Sequence, residues 1–351
     1  EQNQDHHARF AILLAMGDFA INDLSGETRV SLVENLIRLY AEDDRSSIHS
    51  ATGWLLSKWG YTEDVGRVDQ MPFPYDATGK REWFVQRAGD DFITFVVFRP
   101  DTMELGSNRQ EAGRRENEPT RSVRLSRAFA MSDREITLAQ FKRRGIRPPK
   151  VDPAPPADGP VLGVRWIQAI FYCSKLTECG EGMSPESQCY LKPAELEKFV
   201  KAPRPTGLSC KFDRHGFRLP TESEWEFACR AGVQTAYSFG NDRELLDHYG
   251  WYQNNSDERP HKAGLLRPNL RGLFDMHGNA IEWCNCRYTP SPSGGVDPRG
   301  RKTGWLRTYR GGGWNTFGAL CRSATRYSQE PQETTVEYGF RIVMTLPERS
   351  E

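Results

Sequence analysis

Apolar residues between positions 8 and 60 recur at helical spacing, and three short amphipathic helices are predicted there. Residues 10–21 are almost wholly apolar and read as a buried helix. Val33, Leu36, Ile37 and Tyr40 follow an i, i+3, i+4, i+7 pattern. Asp43 or Asp44 offers an N-cap for the next helix, with Ile48, Ala51, Leu55 and Trp59 as its face and Gly60 as its stop. Residues 61–80 carry Gly, Pro and Asp and read as a linker. The pattern then turns β-rich. Trp83-Phe84-Val85 and the run 92–98 flank Gly89-Asp90-Asp91 and predict a hairpin. Residues 109–121 are charged without apolar periodicity and read as a mobile loop. Strand character returns over 123–131. Thr137 and Gln140 form a capping box for a short helix through Phe141. The Pro-rich stretch 148–160 is loop, 161–173 leads into a helix, and 179–214 reads as an irregular insertion.

A second helix start is sharper. Pro220 ends an extended run, Thr221 is a good N-cap, and Glu224 three residues on completes a capping box. Glu222, Glu224 and Glu226 place negative charge where the helix dipole favours it. Capping and dipole complementarity account for the three glutamates better than a catalytic carboxylate pair does. Trp225 and Cys229 give the helix an apolar face, and Gly232 stops it.

Composition narrows the classes. At 351 residues the chain holds one large or two ordinary domains. Lys+Arg and Asp+Glu are both 47, so no net charge draws it to nucleic acid or to a membrane surface. No window has the apolar length of a membrane span, and no leader is visible. The chain starts at Glu1, which reads as a piece of something longer. Eight cysteines without a C-x-x-C pair read as buried thiols in a reducing compartment, so a cytoplasmic location is expected. There is no Gly-Lys-Ser/Thr phosphate loop, no Gly-x-Ser-x-Gly elbow and no H-E-x-x-H.

Several strings resemble one family. The stretch from Arg218-Leu219-Pro220-Thr221-Glu222 to Arg230-Ala231-Gly232 resembles the signature R-L-P-T-E-A-E-W-E-x-A-x-R-G/A-G of the formylglycine-generating enzyme family, the sulfatase-modifying-factor domain. Glu135-Ile136-Thr137 with Gln140-Phe141, and Val164-Arg165-Trp166 with Ala169, resemble its earlier motifs. Asn269 to Trp283 contains Gly272-Leu273, Asp275-Met276, Gly278-Asn279 and Glu282-Trp283. That string resembles P-N-x-x-G-L-x-D-M-x-G-N-V-W-E-W. Arg310-Gly311-Gly312-Gly313-Trp314, Arg322-Ser323-Ala324-Thr325-Arg326 and Gly339-Phe340-Arg341 resemble the domain's closing motifs. The resemblance implies an α+β, C-type-lectin-like domain over 82–346, with short antiparallel sheets and much irregular loop. Residues 1–75 form a helical unit similar to the helical-repeat segments that precede such domains in some bacterial proteins. A docking platform for a partner and a plain helical extension fit that unit equally.

Site expectations follow from the resemblance. Family members place a calcium at the Gly-Asn motif, which here puts Asn279, Ala280 (through its carbonyl) and Glu282 at a structural cation. The competing reading gives Asn279 a left-handed turn and Glu282 an arginine partner. Active members hold Cu(I) between two cysteines after a Gly-Gly-Ser turn, since soft thiolates select that ion. Here Gly313 replaces the serine, Thr316 stands at the first cysteine position and Cys321 at the second. One thiol is missing, so copper and the formylglycine reaction are not expected, and Cys321 reads as a small buried hydrophobe. A lectin-like scaffold presents its last loop-and-strand region as a ligand face, and some relatives are variable proteins of diversity-generating retroelements that mutate it. The residues so implied are Trp314, Asn315, Thr316, Phe317, Arg326, Tyr327, Gln329, Glu330, Gln332, Glu333, Thr335, Glu337 and Tyr338. The expected role is a non-catalytic module binding a protein or other macromolecule there. The alternatives are a copper oxidase and a scaffold module of a bacterial signalling or conflict system.

Overall fold

The computed structural model describes residues 2–202 and 207–347. Four helices open the chain: α1 (Gln2–Met16), α2 (Gly26–Glu42), α3 (Ser46–Lys58) and α4 (Thr62–Asp69). Ser25 caps α2 by accepting from the Thr28 N–H. The expected linker at 61–80 therefore holds a helix, and Val68 on α4 joins the shared core. α1 stops at Met16 and buries only one face. Phe10, Leu13 and Leu14 point inward, while Ile12 and Phe19 are exposed, so the apolar run 10–21 is not buried throughout. Neither Asp43 nor Asp44 caps α3. Its N-cap is Arg45 without a side-chain bond, and the Asp43 carboxylate accepts from Arg9 and from the Arg45 N–H.

α3 is buried from Ser46 to Leu56 because both neighbours cover it. On one side lie α1 and α2. On the other lies the rest of the chain. His49 is stacked between Tyr40 and Trp83, with ring centroids 4.2 and 3.6 Å away. Trp83 Nε1 donates to the Asp43 carbonyl at 2.8 Å, Arg45 pairs with Glu82 at 2.7 Å, and Phe274 enters the helical cluster. The helical unit is thus packed onto the following domain.

That domain begins with the predicted hairpin, β1 (Trp83–Ala88) and β2 (Asp91–Phe98), closed at Gly89 with φ +58°. Then come β3 (Asp101–Leu105), β4 (Arg121–Leu125), β5 (Phe129–Ser132), α5 (Leu138–Arg143), α6 (Trp166–Glu178) and α7 (Pro193–Lys201). β3 and α7 were not expected, and within the 179–214 stretch residues 203–206 lie outside the described residues. The remainder is β6 (Phe217–Arg218), α8 (Glu222–Arg230), β7 (Ile281–Arg287), β8 (Gly295–Val296), β9 (Arg307–Arg310), β10 (Tyr327–Gln329), β11 (Tyr338–Gly339) and β12 (Val343–Thr345). The sheets run β1-β2-β5-β12-β6, β10-β9-β7-β11 and β3-β4-β8. The last strand lies inside the first sheet, between β5 and β6, so the chain's end ties its middle together. The main core sits between this sheet and α6, around Phe95, Trp166, Ile170 and Phe340. The result is an α+β domain preceded by helices. Among the described residues no helix is long and apolar enough to cross a membrane.

Candidate functional site

The interior beneath the C-terminal segment is built on α8. Thr221 and Glu224 form the predicted capping box. The glutamates do more than cap, however. Glu224 also takes a bidentate pair from Arg218 at 2.8 and 2.7 Å. Glu222 holds Arg326, and Glu226 holds Arg310 and, at 3.0 Å, Arg230. Glu226 also accepts from the Gly106 N–H at 2.6 Å. Burial alone would raise these carboxyls, but the surrounding guanidiniums outweigh it and hold all three below the usual range, Glu226 furthest. Dipole complementarity was therefore the smaller part of their role.

The charged stretch 109–121 belongs to this frame. Glu118 is fully buried and accepts from Arg322 Nη1 and Nη2, both at 2.9 Å, and from Ser107 at 2.8 Å. Asn117 donates to the Arg326 carbonyl at 3.2 Å, and Arg115 lies 4.8 Å over the Tyr327 ring. The expected mobile loop is a clamp on the C-terminal segment.

Above the frame, Gly311 and Gly312 turn with φ +94° and +81°. A Cβ on Gly312 would stand 2.6 Å from Cys321 Sγ, and one on Gly313 would stand 2.7 Å from Glu337 Oε1. Glycine at 313, where the resemblance expects serine, makes room for Glu337. That carboxylate accepts from the Asn315 N–H at 3.0 Å and from Thr316 Oγ1 at 3.1 Å, while Thr316 Oγ1 accepts from the Gly313 N–H at 2.9 Å. Burial raises the Glu337 pKa against these donors.

The residues expected at a ligand face divide into three groups. Trp314, Arg326 and Tyr338 are buried and are corrected to the interior. Trp314 packs with Leu162 and Ala280, Arg326 is spent on Glu222, and Tyr338 meets Trp283 edge-on at 5.0 Å. Thr316, Tyr327, Gln329, Glu330, Gln332 and Glu337 are half-buried. Gln332 is engaged too, accepting from Arg165 at 3.0 Å and donating to the Phe199 carbonyl at 3.4 Å. Asn315, Phe317, Glu333 and Thr335 are exposed, Phe317 to 63%. Tyr327 and Gln329 lie on β10, the edge strand of its sheet. The contributions of Arg115 and Tyr309, which stacks on Tyr327 at 5.2 Å, went unforeseen, since their partners are remote in sequence.

The metal expectations fare differently from their donors' sequence spacing. Both Glu282 oxygens face Arg341 Nε, at 2.8 and 2.7 Å, and Oε2 also accepts from Trp225 Nε1 at 2.6 Å. Asn279 takes φ +63°, accepts from the His261 N–H at 3.0 Å and gives its own carbonyl to the Trp314 N–H at 3.1 Å. A cation using Asn279, Ala280 and Glu282 would have to displace Arg341, so the donors as placed fit the turn-and-arginine reading. For copper, Cys321 is fully buried among Tyr237, Leu246 and Tyr252, with no other cysteine in that cluster, and burial raises its thiol strongly. Thr316 offers a hydroxyl already bonded to Glu337. These residues do not fit a two-thiolate ion. Among the described residues no three His, Cys, Asp or Glu side chains are grouped to hold a metal.

A model of the sulfatase-modifying factor enzyme 1-like domain matches residues 84–346. The chain belongs to that family. Within the sulfatase-modifying-factor family, it is 36% identical over 146 residues to the formylglycine-generating enzyme of Streptomyces coelicolor, covering 36% of this chain and 46% of the relative. It is 36% identical over 132 residues to the serine/threonine-protein kinase pkn1 of Chlamydia caviae, covering 21% of that protein. The chain thus spans less than half the length of these curated relatives. Among solved structures, Treponema denticola variable protein 1 superposes with TM-score 0.68 at 26% identity, over 75% of this chain and 99% of that one. PvdO from Pseudomonas aeruginosa shares the fold at TM-score 0.58 and 20% identity, over 79% of this chain and 100% of that one.

Proposed function

We propose that this sulfatase-modifying-factor domain is a non-catalytic binding module whose ligand face is the surface formed by Asn315, Thr316 and Phe317 and by residues 327–337. One observation carries the reading. Within a single segment, Arg322 and Arg326 are locked to buried carboxylates while Asn315, Phe317, Glu333 and Thr335 reach solvent. The surface side chains are free to vary without touching the frame. An exposed aromatic beside polar side chains is the composition that anchors protein partners. The likeness to a variable protein supports the same assignment, and with it a receptor diversified by a retroelement. Thr316 in place of a first cysteine speaks against the oxidase.

The test has two arms. The full chain is screened on protein and glycan arrays beside a variant carrying Asn315→Ala, Phe317→Ala, Glu333→Ala and Thr335→Ala. A ligand held equally by both proteins places binding elsewhere and sinks the proposal. Stoichiometric Cu(I) uptake together with conversion of a Cys-x-Pro-x-Arg peptide restores the oxidase. Resequencing codons 310–341 across sibling isolates tests the receptor: changes should gather at the exposed positions Asn315, Phe317, Glu333, Thr334 and Thr335 and spare Arg322, Arg326 and Glu337.

A further inference from the structure

A cavity lies apart from that face. A cleft of about 600 Å³ separates the helical unit from the domain, and it shares no lining residue with the C-terminal face. α3 gives one wall through Trp54, α4 another through Gly66 and Asp69, and the domain supplies Arg134, Trp251 and Phe274. Three of the cleft's cations already have partners: Arg134 with Asp133, Lys262 with Asp158 and Arg267 with Asp18.

Among the described residues Lys58 has no ion pair and lies 5.2 Å from the Trp54 ring centroid, while Arg134 and Asp69, of opposite sign, each keep spare hydrogen-bonding capacity. Arg134 uses Nε and Nη2 on Asp133, at 3.0 and 2.7 Å, and its plane lies 5.2 Å over the Phe274 ring. Its Nη1 has no hydrogen-bond acceptor among the described residues, and the side chain keeps 32% exposure. Asp69 takes one bond, from the Tyr40 hydroxyl on Oδ1, and Oδ2 takes none among the described residues. Arg134 and Asp69 make no direct ion pair, yet each lies in the other's field.

We propose that this cleft binds a small zwitterion with an apolar body, a free α-amino acid, its carboxylate on Arg134 Nη1, its ammonium on Asp69 and its side chain against Trp54 and Phe274. A pure anion would meet Asp69 unpaired, and a pure cation would meet Arg134 with Lys58, Lys262 and Arg267 around it. Only a ligand carrying both signs answers both walls. The cavity size lies within the range of small-molecule sites, and its lining sets Trp54, Trp251 and Phe274 among charged groups of both signs.

The test uses the full chain and calorimetry with L-phenylalanine, L-leucine and L-tryptophan. The single-charge analogues 3-phenylpropanoate and phenethylamine are run beside them. L-phenylalanine should bind, and each analogue should bind about tenfold weaker or worse, the worth of one charge-assisted bond. A Cβ on Gly66 meets nothing within 4 Å, and the position is helical, so Gly66→Leu fills the cleft without straining the fold. It should abolish binding while leaving the melting temperature unchanged or higher. Asp69→Asn should narrow the gap between L-phenylalanine and 3-phenylpropanoate. Three outcomes each overturn the proposal: none of the three amino acids bound at millimolar concentration, 3-phenylpropanoate bound as tightly as L-phenylalanine, or binding that survives Gly66→Leu. None of them bears on the C-terminal face.

Discussion

Two kinds of surface meet in the stretch from Arg310 to Arg341. Its inner side is a lattice of guanidiniums on buried carboxylates: Arg310 on Glu226, Arg322 on Glu118, Arg326 on Glu222 and Arg341 on Glu282. Its outer side, Asn315, Phe317, Glu333 and Thr335, is exposed and makes no ion pair among the described residues, with the Asn315 N–H resting on the Glu337 carboxylate. The contrast teaches that the motif letters of this family mark the frame, while exposed side chains between them, such as Asn315, Phe317, Glu333 and Thr335, can differ without breaking a buried ion pair. Breaking the inner side should cost most. Glu226→Ala leaves Arg310, Arg230 and Arg121 in the interior without their shared carboxylate. Removing one partner of a buried pair costs about 3–5 kcal/mol. Urea unfolding that places this variant within about 1 kcal/mol of the parent would mean that the lattice is not what holds the segment.

The imidazole beneath the segment gives the next largest effect. His277 Nδ1–H donates to the Cys321 carbonyl at 2.8 Å, and Nε2 accepts from the Ser238 N–H at 3.1 Å. Burial lowers its pKa to about 4, against the bond to Cys321. The unfolded chain therefore binds this proton first. Stability from neutral His277 is complete above about pH 6.5 and is lost as pH falls toward 4, by about 3 kcal/mol. Asp275 acts in the opposite sense. Burial raises it to about 6, so its folded-state penalty builds as pH rises from about 4 to 6. Against that background, His277→Asn keeps an N–H for Cys321 and should flatten the acid-side slope by about 3 kcal/mol. An unchanged slope would show that His277 is not the titrating group. Smaller again is Gly313→Ser, which sets a Cβ against Glu337 and disturbs its bonds to Asn315 and Thr316. A loss of about 1–2 kcal/mol is expected, and Glu337→Ala in the same chain should recover the steric part. A free gain from serine would mean the turn relaxes around it.

The sequence carried the frame's local devices and hid its long-range ones. The capping boxes at Thr221 and Thr137 were readable because cap and partner stand three residues apart. The 83–98 hairpin was readable from its β-rich runs and turn. The pairing of Glu222 with Arg326 spans 104 positions and that of Glu118 with Arg322 spans 204, so no window contains both members. For that reason the 109–121 clamp looked like a loose polar loop, and dipole effects absorbed credit that belongs to ion pairs. α4 was lost because only Val68 is fully buried on it, in a neighbourhood of turn formers. For the candidate face the motifs fixed its ends. Which side chains point out depends on β10 pairing with β9 and on Glu337 reaching back to Asn315, neither of which has a local signature.

The smallest expected change in stability is the most informative about function. Asn315 and Thr335 are exposed, and Phe317 keeps 63% of its surface in water. Replacing each by alanine removes no buried partner, so each should shift unfolding by no more than about 0.5 kcal/mol. If these side chains form the ligand face, the same replacements should cut affinity by tenfold or more, most of all at Phe317, since a few central anchors carry most binding energy. Arg322→Ala should show the reverse pattern, a large loss of stability, because Glu118 and Glu111 would be left facing each other without their cation. Titrating the ligand into both sets at a temperature where the arginine variant stays folded separates the two roles. Should the arginine variant, once folded, lose affinity as completely as the Phe317 variant, frame and face would not be separable.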